Sequence, residues 1–366
     1  MHFDTCDDLK LLEERLDSYT DSDLLDIYNN LDLEIKKESY NQYCSYNIHD
    51  VRLVKRLEKK RRLLLLILDM AYQGGVTYQD TFGTVLAWDI TIHNYLMDRN
   101  IVIPQFKKQP FNSIIGGKVK DSIVGGHGWS VSLDLTSLYP SLIMMFNISP
   151  ETHAGRAPFM ISIDSILNNG ISPENRQYLI DNNVTVCANG VLYRRDVEGF
   201  IPAIMKMLFN NRQQTKKIMK DKEREFEAGN KTDTDLEFEI VRLDSKQTSL
   251  KLKGNGGYGA LANEWNRWFS TDLAEAITSN GQVAIQYIQN EINNYINKVL
   301  KTTNVDYIIL SDTDSCFICV DEIIKKTNLT DKTEIVKFIE KMCKEALIPY
   351  INKMYAKLKD DMNAVE

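Results

Sequence analysis

The chain has 366 residues, 43% hydrophobic and 26% charged, with 44 basic against 51 acidic side chains and a net charge of −7. That length suits roughly two to three ordinary cores. The longest apolar run, Leu63 to Leu68, is far short of the ~20 residues of a membrane span, and the acidic start Met1-His2-Phe3-Asp4 lacks a signal-peptide core. These features predict a cytoplasmic protein, and the negative balance excludes a binder that simply wraps nucleic acid by charge. It leaves room for a carboxylate-lined site.

Arg52 to Met70 has helical composition, with its leucine run as a candidate buried helix. Pro104 and Pro110 then break the chain, and Gly116, Gly117, Gly125, Gly126 and Gly128 mark loop, tight hairpin and a domain boundary. Trp129 to Leu133 reads as a strand delivering Asp134, with a helix from Thr136. Gly199 to about Glu227 and Asp235 to about Asn255 read as two helices joined at Gly229-Asn230, an αα-hairpin. Leu273, Ile277, Ala284, Ile288, Ile292, Ile296 and Val299 recur at helical spacing and predict a long amphipathic helix from Asp272 to Leu300. Tyr307 to Leu310 and Cys316 to Val320 are strand-like, and a terminal helix follows from about Lys332 to Leu358. The pattern is α+β: an antiparallel sheet carrying acids, backed by helices, with a helical hairpin inserted. Six cysteines stand at 6, 44, 187, 316, 319 and 343. Cys316 and Cys319 make a CxxC, but i and i+3 of a strand face opposite sides, so structural thiols are expected.

The chemistry concentrates in three places. Asp312-Thr313-Asp314-Ser315 sits between the two strand-like runs. If both aspartates are extended, their carboxylates share one face roughly 7 Å apart. Such charges repel, and a divalent cation relieves them; a solvated hairpin would also accept aspartates. In Ser132-Leu133-Asp134-Leu135-Thr136-Ser137-Leu138-Tyr139-Pro140-Ser141 a strand brings a carboxylate to a helix start, where free amides near Ser137, Leu138 and Tyr139 suit phosphate oxygens. Gln247, Lys251, Asn255 and Tyr258 fall on one helical face, among Gly254, Gly256, Gly257 and Gly259, which make sense where a backbone or a base pair comes close. Arg212, Lys216 and Lys220 lie at i, i+4 and i+8 on the partner helix. Two basic stripes on one cleft would grip a triphosphate whose metals the acids hold.

These segments resemble motifs A (Asp134-Leu135-Thr136-Ser137-Leu138-Tyr139-Pro140), B (Lys251-x-x-x-Asn255-x-x-Tyr258-Gly259) and C (Asp312-Thr313-Asp314-Ser315) of family B DNA polymerases, in that order. Asn147-Ile148-Ser149-Pro150-Glu151-Thr152 and the stretch from Tyr258 through Gly281-Gln282 further resemble the T-even-like phage branch. The resemblance implies a right-hand palm with an inserted helical-hairpin fingers subdomain, preceded by a helical remnant of an RNase H-like exonuclease domain. It implies boundaries at 1–62 (exonuclease remnant), 63–105 (connecting segment), 106–196 (palm, first part), 197–263 (fingers) and 264–366 (palm, second part). It implies primer–template DNA and dNTP as partners and two Mg²⁺ ions. Asp134, Asp314 and the Leu135 carbonyl would hold the metals, with Asp312 nearby. Ser137, Leu138, Tyr139, Arg212, Lys216, Lys251 and Asn255 would bind the nucleotide, with Tyr139 under the sugar and Lys251 among the catalytic groups. Tyr258 and Gly259 would check the base pair. Tyr46-Asn47-Ile48-His49-Asp50 resembles the third exonuclease motif, with Asp50 as metal ligand and Tyr46 orienting water.

The sequence departs from the family pattern at Gly256 and Gly257, at Ser311, and at Ile114 ahead of Gly116-Gly117. Segments resembling the first two exonuclease motifs, the primer-side Lys-Lys-Tyr stretch and the thumb are not found. The expectation is a split or truncated phage polymerase, without proofreading of its own, that works in the cytoplasm of an infected bacterium with partner chains supplying those parts. It would reach a sliding clamp only through a further C-terminal segment. A catalytically silent DNA- or dNTP-binding scaffold and an RNA-making or RNA-templated palm polymerase are the alternatives; Tyr139 argues against RNA as the product.

Overall fold

The computed structural model describes residues 33–105, 108, 113–135, 137–229 and 233–365. Contacts divide the chain into Met1–Leu64 and Leu65–Glu366. In the first unit α1 (Leu33–Arg61) is one 29-residue helix, which carries Tyr46 and Asp50 on exposed positions. Arg62, at φ 52°, separates it from α2 (Leu63–Gly74). The single helix expected over Arg52–Met70 is therefore two. Its leucine run is not a buried helix: Leu63, Leu64 and Leu68 are about half exposed. Six consecutive aliphatics point all round a helix axis, so packing on one side cannot cover them.

Within Leu65–Glu366 a 3₁₀ turn, Gln79–Phe82, leads into α3 (Thr84–Met97), which buries Trp88, Ile92 and Leu96. The first sheet has the order β1 (Val119–Lys120), β6 (Ile308–Asp312), β7 (Ser315–Cys319), β2 (Ser130–Asp134), every pair antiparallel. The second, also antiparallel, runs β3 (His153–Arg156), β5 (Val191–Arg194), β4 (Val184–Val186). The α+β reading with an antiparallel, acid-bearing sheet agrees with this. In sequence α4 (Leu138–Met145) lies between β2 and β3, and α5 (Ile163–Asn169) and α6 (Pro173–Asp181) lie between β3 and β4.

The two long helices read as a hairpin are α7 (Phe200–Ala228) and α8 (Thr234–Leu261). Asp233 caps α8 by accepting from the amides of Asp235 and Leu236, both at 3.0 Å, and Asp235 and Glu237 follow in the first turn, where the helix dipole favours acids. The helix continues six residues past Asn255, straight through its glycines. Packing explains this. A Cβ on Gly257 would stand 2.4 Å from Met205 Cε and 2.7 Å from the Trp88 ring, and one on Gly256 would stand 3.3 Å from Thr84 Cγ2. The side chains missing from α8 are supplied by α3 and α7, and the Trp88 indole donates to the Lys253 carbonyl at 3.1 Å. Nearby, Lys253 donates to Gln73 O at 3.1 Å, and Gln73 Nε2 donates to Ser249 Oγ at 2.6 Å.

Helix α9 (Thr271–Leu300) belongs to both apolar cores. Leu273, Ala276 and Ile277 pack in one, with α3, α4, α7 and the second sheet; Ile285, Ile288, Ile292 and Ile296 pack in the other, under the first sheet. The stripe ends differently from expectation: Val299 is exposed and Leu300 is buried, because i+4 from Ile296 is 300. Each buried isoleucine contributes about 2 kcal/mol of apolar burial. After α10 (Asp321–Lys325), α11 (Lys332–Met342) passes through a π-helical turn, Cys343–Leu347, into α12 (Ile348–Asp361), where one terminal helix was expected.

Candidate active site

The strand register brings the acids together. Ser315, at the start of β7, pairs with Asp134 of β2 on one side and Asp312 of β6 on the other. With about 5 Å between neighbouring strands, the two acids bracket Ser315, and Asp314 adjoins it in the turn. Asp312 and Asp314 do not share one extended strand, as a simple two-residue spacing suggested. Thr313 has φ +46° and the Asp314 amide bonds back to Asp312 O at 2.5 Å, so the chain reverses between them. The Leu135 amide donates to Asp314 O at 2.8 Å, which ties the residue after Asp134 to this turn.

Asp134 and Asp314 line a cavity of about 380 Å³, together with Thr313, Ser137, Leu138, Tyr139 and Pro140. Across it stand Arg212 and Lys216 from α7 and Lys251 and Asn255 from α8. Asp312 and Lys220 are not among its lining residues, and Gln247 bonds instead to its helix neighbours Asp244 and Thr248. Helix α4 starts at Leu138, not Thr136, with Ser137 in the left-handed region at its N-cap. The first-turn amides of Leu138 and Tyr139 have no intrahelical acceptor, and Pro140 carries no N–H to leave bare.

Charge is distributed here in a specific way. Among the described residues, Arg212, Lys216 and Lys251 have no ion-pair partner, and neither have Asp134 and Asp314. Arg212 Nε is buried with no hydrogen-bond acceptor. The Asp314 carboxyl is held above its ordinary pKa by partial burial and then by the charges of Asp134 and Asp312. Cations and carboxylates face one space without neutralising each other, which costs stability unless a ligand carrying both signs enters.

Tyr139 sits between these groups and α8. Its ring lies 4.6 Å from that of Tyr258, centroid to centroid, tilted by 39°. Burial, Tyr258 and the nearby acids push its phenol up to about 12. Gly117 gives the hydroxyl room: a Cβ there would stand 3.2 Å from Tyr139 Oη and 3.1 Å from Thr313 Oγ1. Gln282 Nε2 donates to the Gly116 carbonyl at 2.6 Å and holds the glycine pair from α9. Gly259 faces open space on α8. Thr313, Gly117 and Trp88 were not singled out from sequence as part of this assembly; the paired glycines and the polar turn were the only local signals. Tyr46 and Asp50 belong to the first unit, and Leu135, next after Asp134, is not among the residues lining the cavity.

Comparison with known proteins follows the same lines. The family model for DNA polymerase family B matches residues 89–358. The chain is 31% identical to the DNA-directed DNA polymerase of Escherichia phage RB69 and 30% identical to that of Enterobacteria phage T4, over 90% of its own length in both cases. It covers 40% and 41% of those proteins, so it spans about two fifths of the curated relatives it matches. The family B DNA polymerase of Pyrobaculum calidifontis superposes on 81% of the chain, and on 33% of that polymerase, with TM-score 0.54 at 20% identity, which speaks for the fold. The chain belongs to DNA polymerase family B, on the T-even-like phage branch.

Proposed function

We propose that the cavity between β2, the β6–β7 turn and the α7–α8 hairpin is the nucleotidyl-transfer site of a template-directed DNA polymerase. One observation carries this: unpaired carboxylates and unpaired cations face the same 380 Å³ space. A magnesium–triphosphate complex presents both complementary charges. Asp134, Asp314 and the Leu135 carbonyl are all oxygen donors, the set that suits a hard cation such as Mg²⁺. When bound, two such ions neutralise phosphate charge and sharpen the primer hydroxyl as a nucleophile.

The chain's own residues position the reactants. Arg212, Lys216, Lys251 and Asn255 grip the triphosphate from the fingers side, and the amides at the start of α4 take phosphate oxygens from below. The primer 3′-OH forms a bond to the α-phosphorus as the bond to pyrophosphate breaks; Lys251 stabilises charge on the departing side. Tyr139, fixed by Tyr258 and Gly117, lies beneath the sugar and excludes a 2′-hydroxyl, while Tyr258 and Gly259 face the nascent pair.

In this reading residues 106–196 and 264–366 make the palm, 197–263 the fingers, 63–105 the connecting segment and 1–62 a remnant of the exonuclease domain, with Tyr46 and Asp50. Primer–template DNA and dNTP are the substrates, in the cytoplasm of an infected bacterium. The chain spans about two fifths of its relatives, and the activity is proposed for it together with the remainder of such a polymerase.

The test is nucleotide binding by the chain, followed with a fluorescent dNTP and with and without Mg²⁺. Lys251→Ala should weaken binding at least tenfold in either condition, and Asp134→Asn should abolish the gain from Mg²⁺. Wild-type binding by both variants would refute the assignment. With the remaining segments supplied, Tyr139→Ala should admit ribonucleotides; unchanged discrimination removes the sugar-gate role.

A further inference from the structure

The end of β2 and β7 opposite the acids carries a second cluster of ligand-type side chains. Four residues along β2 from Asp134, about 13 Å away, Ser130 pairs with Cys319. One potential ligand atom each of His127, Cys319 and Asp321 lies within 4.8 Å of the others. The strand alternation that buries Cys316 turns Cys319 away from the core, towards the loop that carries His127. No local spacing reveals this set, because His127 comes from 192 positions before Cys319.

Two of the three groups are already oriented by outer partners. Asp321 Oδ2 accepts from the Gly128 amide at 2.9 Å and Oδ1 from the Trp129 amide at 2.6 Å, which leaves each oxygen a further lone pair. Residue 128 is glycine where a Cβ would stand 3.0 Å from Asp321 Oδ1, so the loop closes tightly over this carboxylate. His127 Nε2 lies 3.1 Å from the Ile123 carbonyl. A carbonyl only accepts, so Nε2 carries the proton and Nδ1 keeps its lone pair. Histidines that bind metals are held in the same manner, by a hydrogen bond from the other ring nitrogen. Nitrogen, sulfur and carboxylate oxygen in one cluster is a borderline-soft donor set, which favours Zn²⁺ over Mg²⁺.

We propose that His127, Cys319 and Asp321 form a Zn²⁺ site, with water in the fourth position, that fastens the glycine-rich loop before β2 to the end of β7. Tetrahedral ligands stand on the order of 3.5 Å apart, so closure requires the exposed His127 loop to move by roughly 1 Å. Cys319 binds as thiolate; its proton, which now faces Asp321, leaves to solvent. The site clamps the same two strands whose other ends present Asp134 and Asp314, and its role is independent of the nucleotide site.

The test is a titration of the chelator-treated full chain with Co²⁺, read by the thiolate-to-cobalt charge-transfer band and the d–d bands of a tetrahedral ion, then displaced with Zn²⁺. Wild type should bind one Co²⁺ with these bands and lose them to Zn²⁺. Cys319→Ser should lose the charge-transfer band, and His127→Ala, on an exposed loop, should bind at least tenfold more weakly with unchanged far-ultraviolet circular dichroism. Cys44→Ser, on α1, should bind as wild type. Absence of the band in wild type, or its survival in Cys319→Ser, overturns the proposal; so does full-strength binding by His127→Ala.

Discussion

The two antiparallel sheets use polar residues in opposite ways. In the second sheet polar groups are consumed by the fold. Asn147, 4% exposed, donates to the carbonyls of Arg194 and Val197 at 2.6 and 2.7 Å and accepts from the Gly199 amide at 2.9 Å. Buried Thr185 donates to Phe146 O, and Asn363 donates to the carbonyls of Leu179 and Val184. In the first sheet the strand ends carry carboxylates that the fold leaves unneutralised beside an open cavity. Polar groups that the backbone satisfies hold structure, whereas those left facing a cavity with raised energy are available to a ligand.

The sharpest way to break this contrast is Asp314→Asn. Primer extension by the completed polymerase should fall by roughly 10³-fold or more, while the melting temperature holds or rises, because a carboxylate repelled by Asp134 and Asp312 is gone. A melting loss instead would place Asp314 among the structural groups. Asn147→Ala should do the reverse. It deletes three hydrogen bonds in a buried setting and costs about 3 kcal/mol in chemical denaturation, with nucleotide affinity of the folded fraction unchanged. A stability change under about 0.5 kcal/mol would show that the second sheet is not held this way.

Lys253 sharpens the comparison from the back of α8. Burial pushes its ammonium down to about 8, against 10.5 in the unfolded chain. Between those values the unfolded state binds more protons, so stability rises with pH across that window. At neutral pH the buried charge costs on the order of 3 kcal/mol. The melting temperature of wild type should therefore climb between about pH 8 and pH 10, and Lys253→Met should lack that increment. An equal increment in both proteins would assign it to other groups.

The strands and long helices that carry the acids, Arg212, Lys251 and Asn255 were legible because each segment has local periodicity or punctuation that does not depend on its neighbours. Asp134, Asp312 and Asp314 were read as partners from three separate stretches, but their geometry was not. The reversal at Thr313 comes from pairing of β6 with β7, which a two-residue spacing does not encode. The second sheet went unread because its strands have only three or four residues, too few for alternation to register. Helix α3 went unread as well, since Trp88, Ile90, Ile92 and Tyr95 give it no clean polar face. The glycines of α8 were noticed, and at Gly256 and Gly257 their reason was misplaced. Room for a base pair or a backbone was expected, whereas Gly257 accommodates Trp88, an indole whose bond to Lys253 O joins residues 165 positions apart.

Helix α9 is a member of both apolar cores, with no interruption from Thr271 to Leu300. Neither core can come apart while the rod that crosses it stays intact, and loosening one frays the other. Residues 65–366 should thus behave as one cooperative folding unit on heating, so that a lesion beside β5 lowers the same transition as one beside β7.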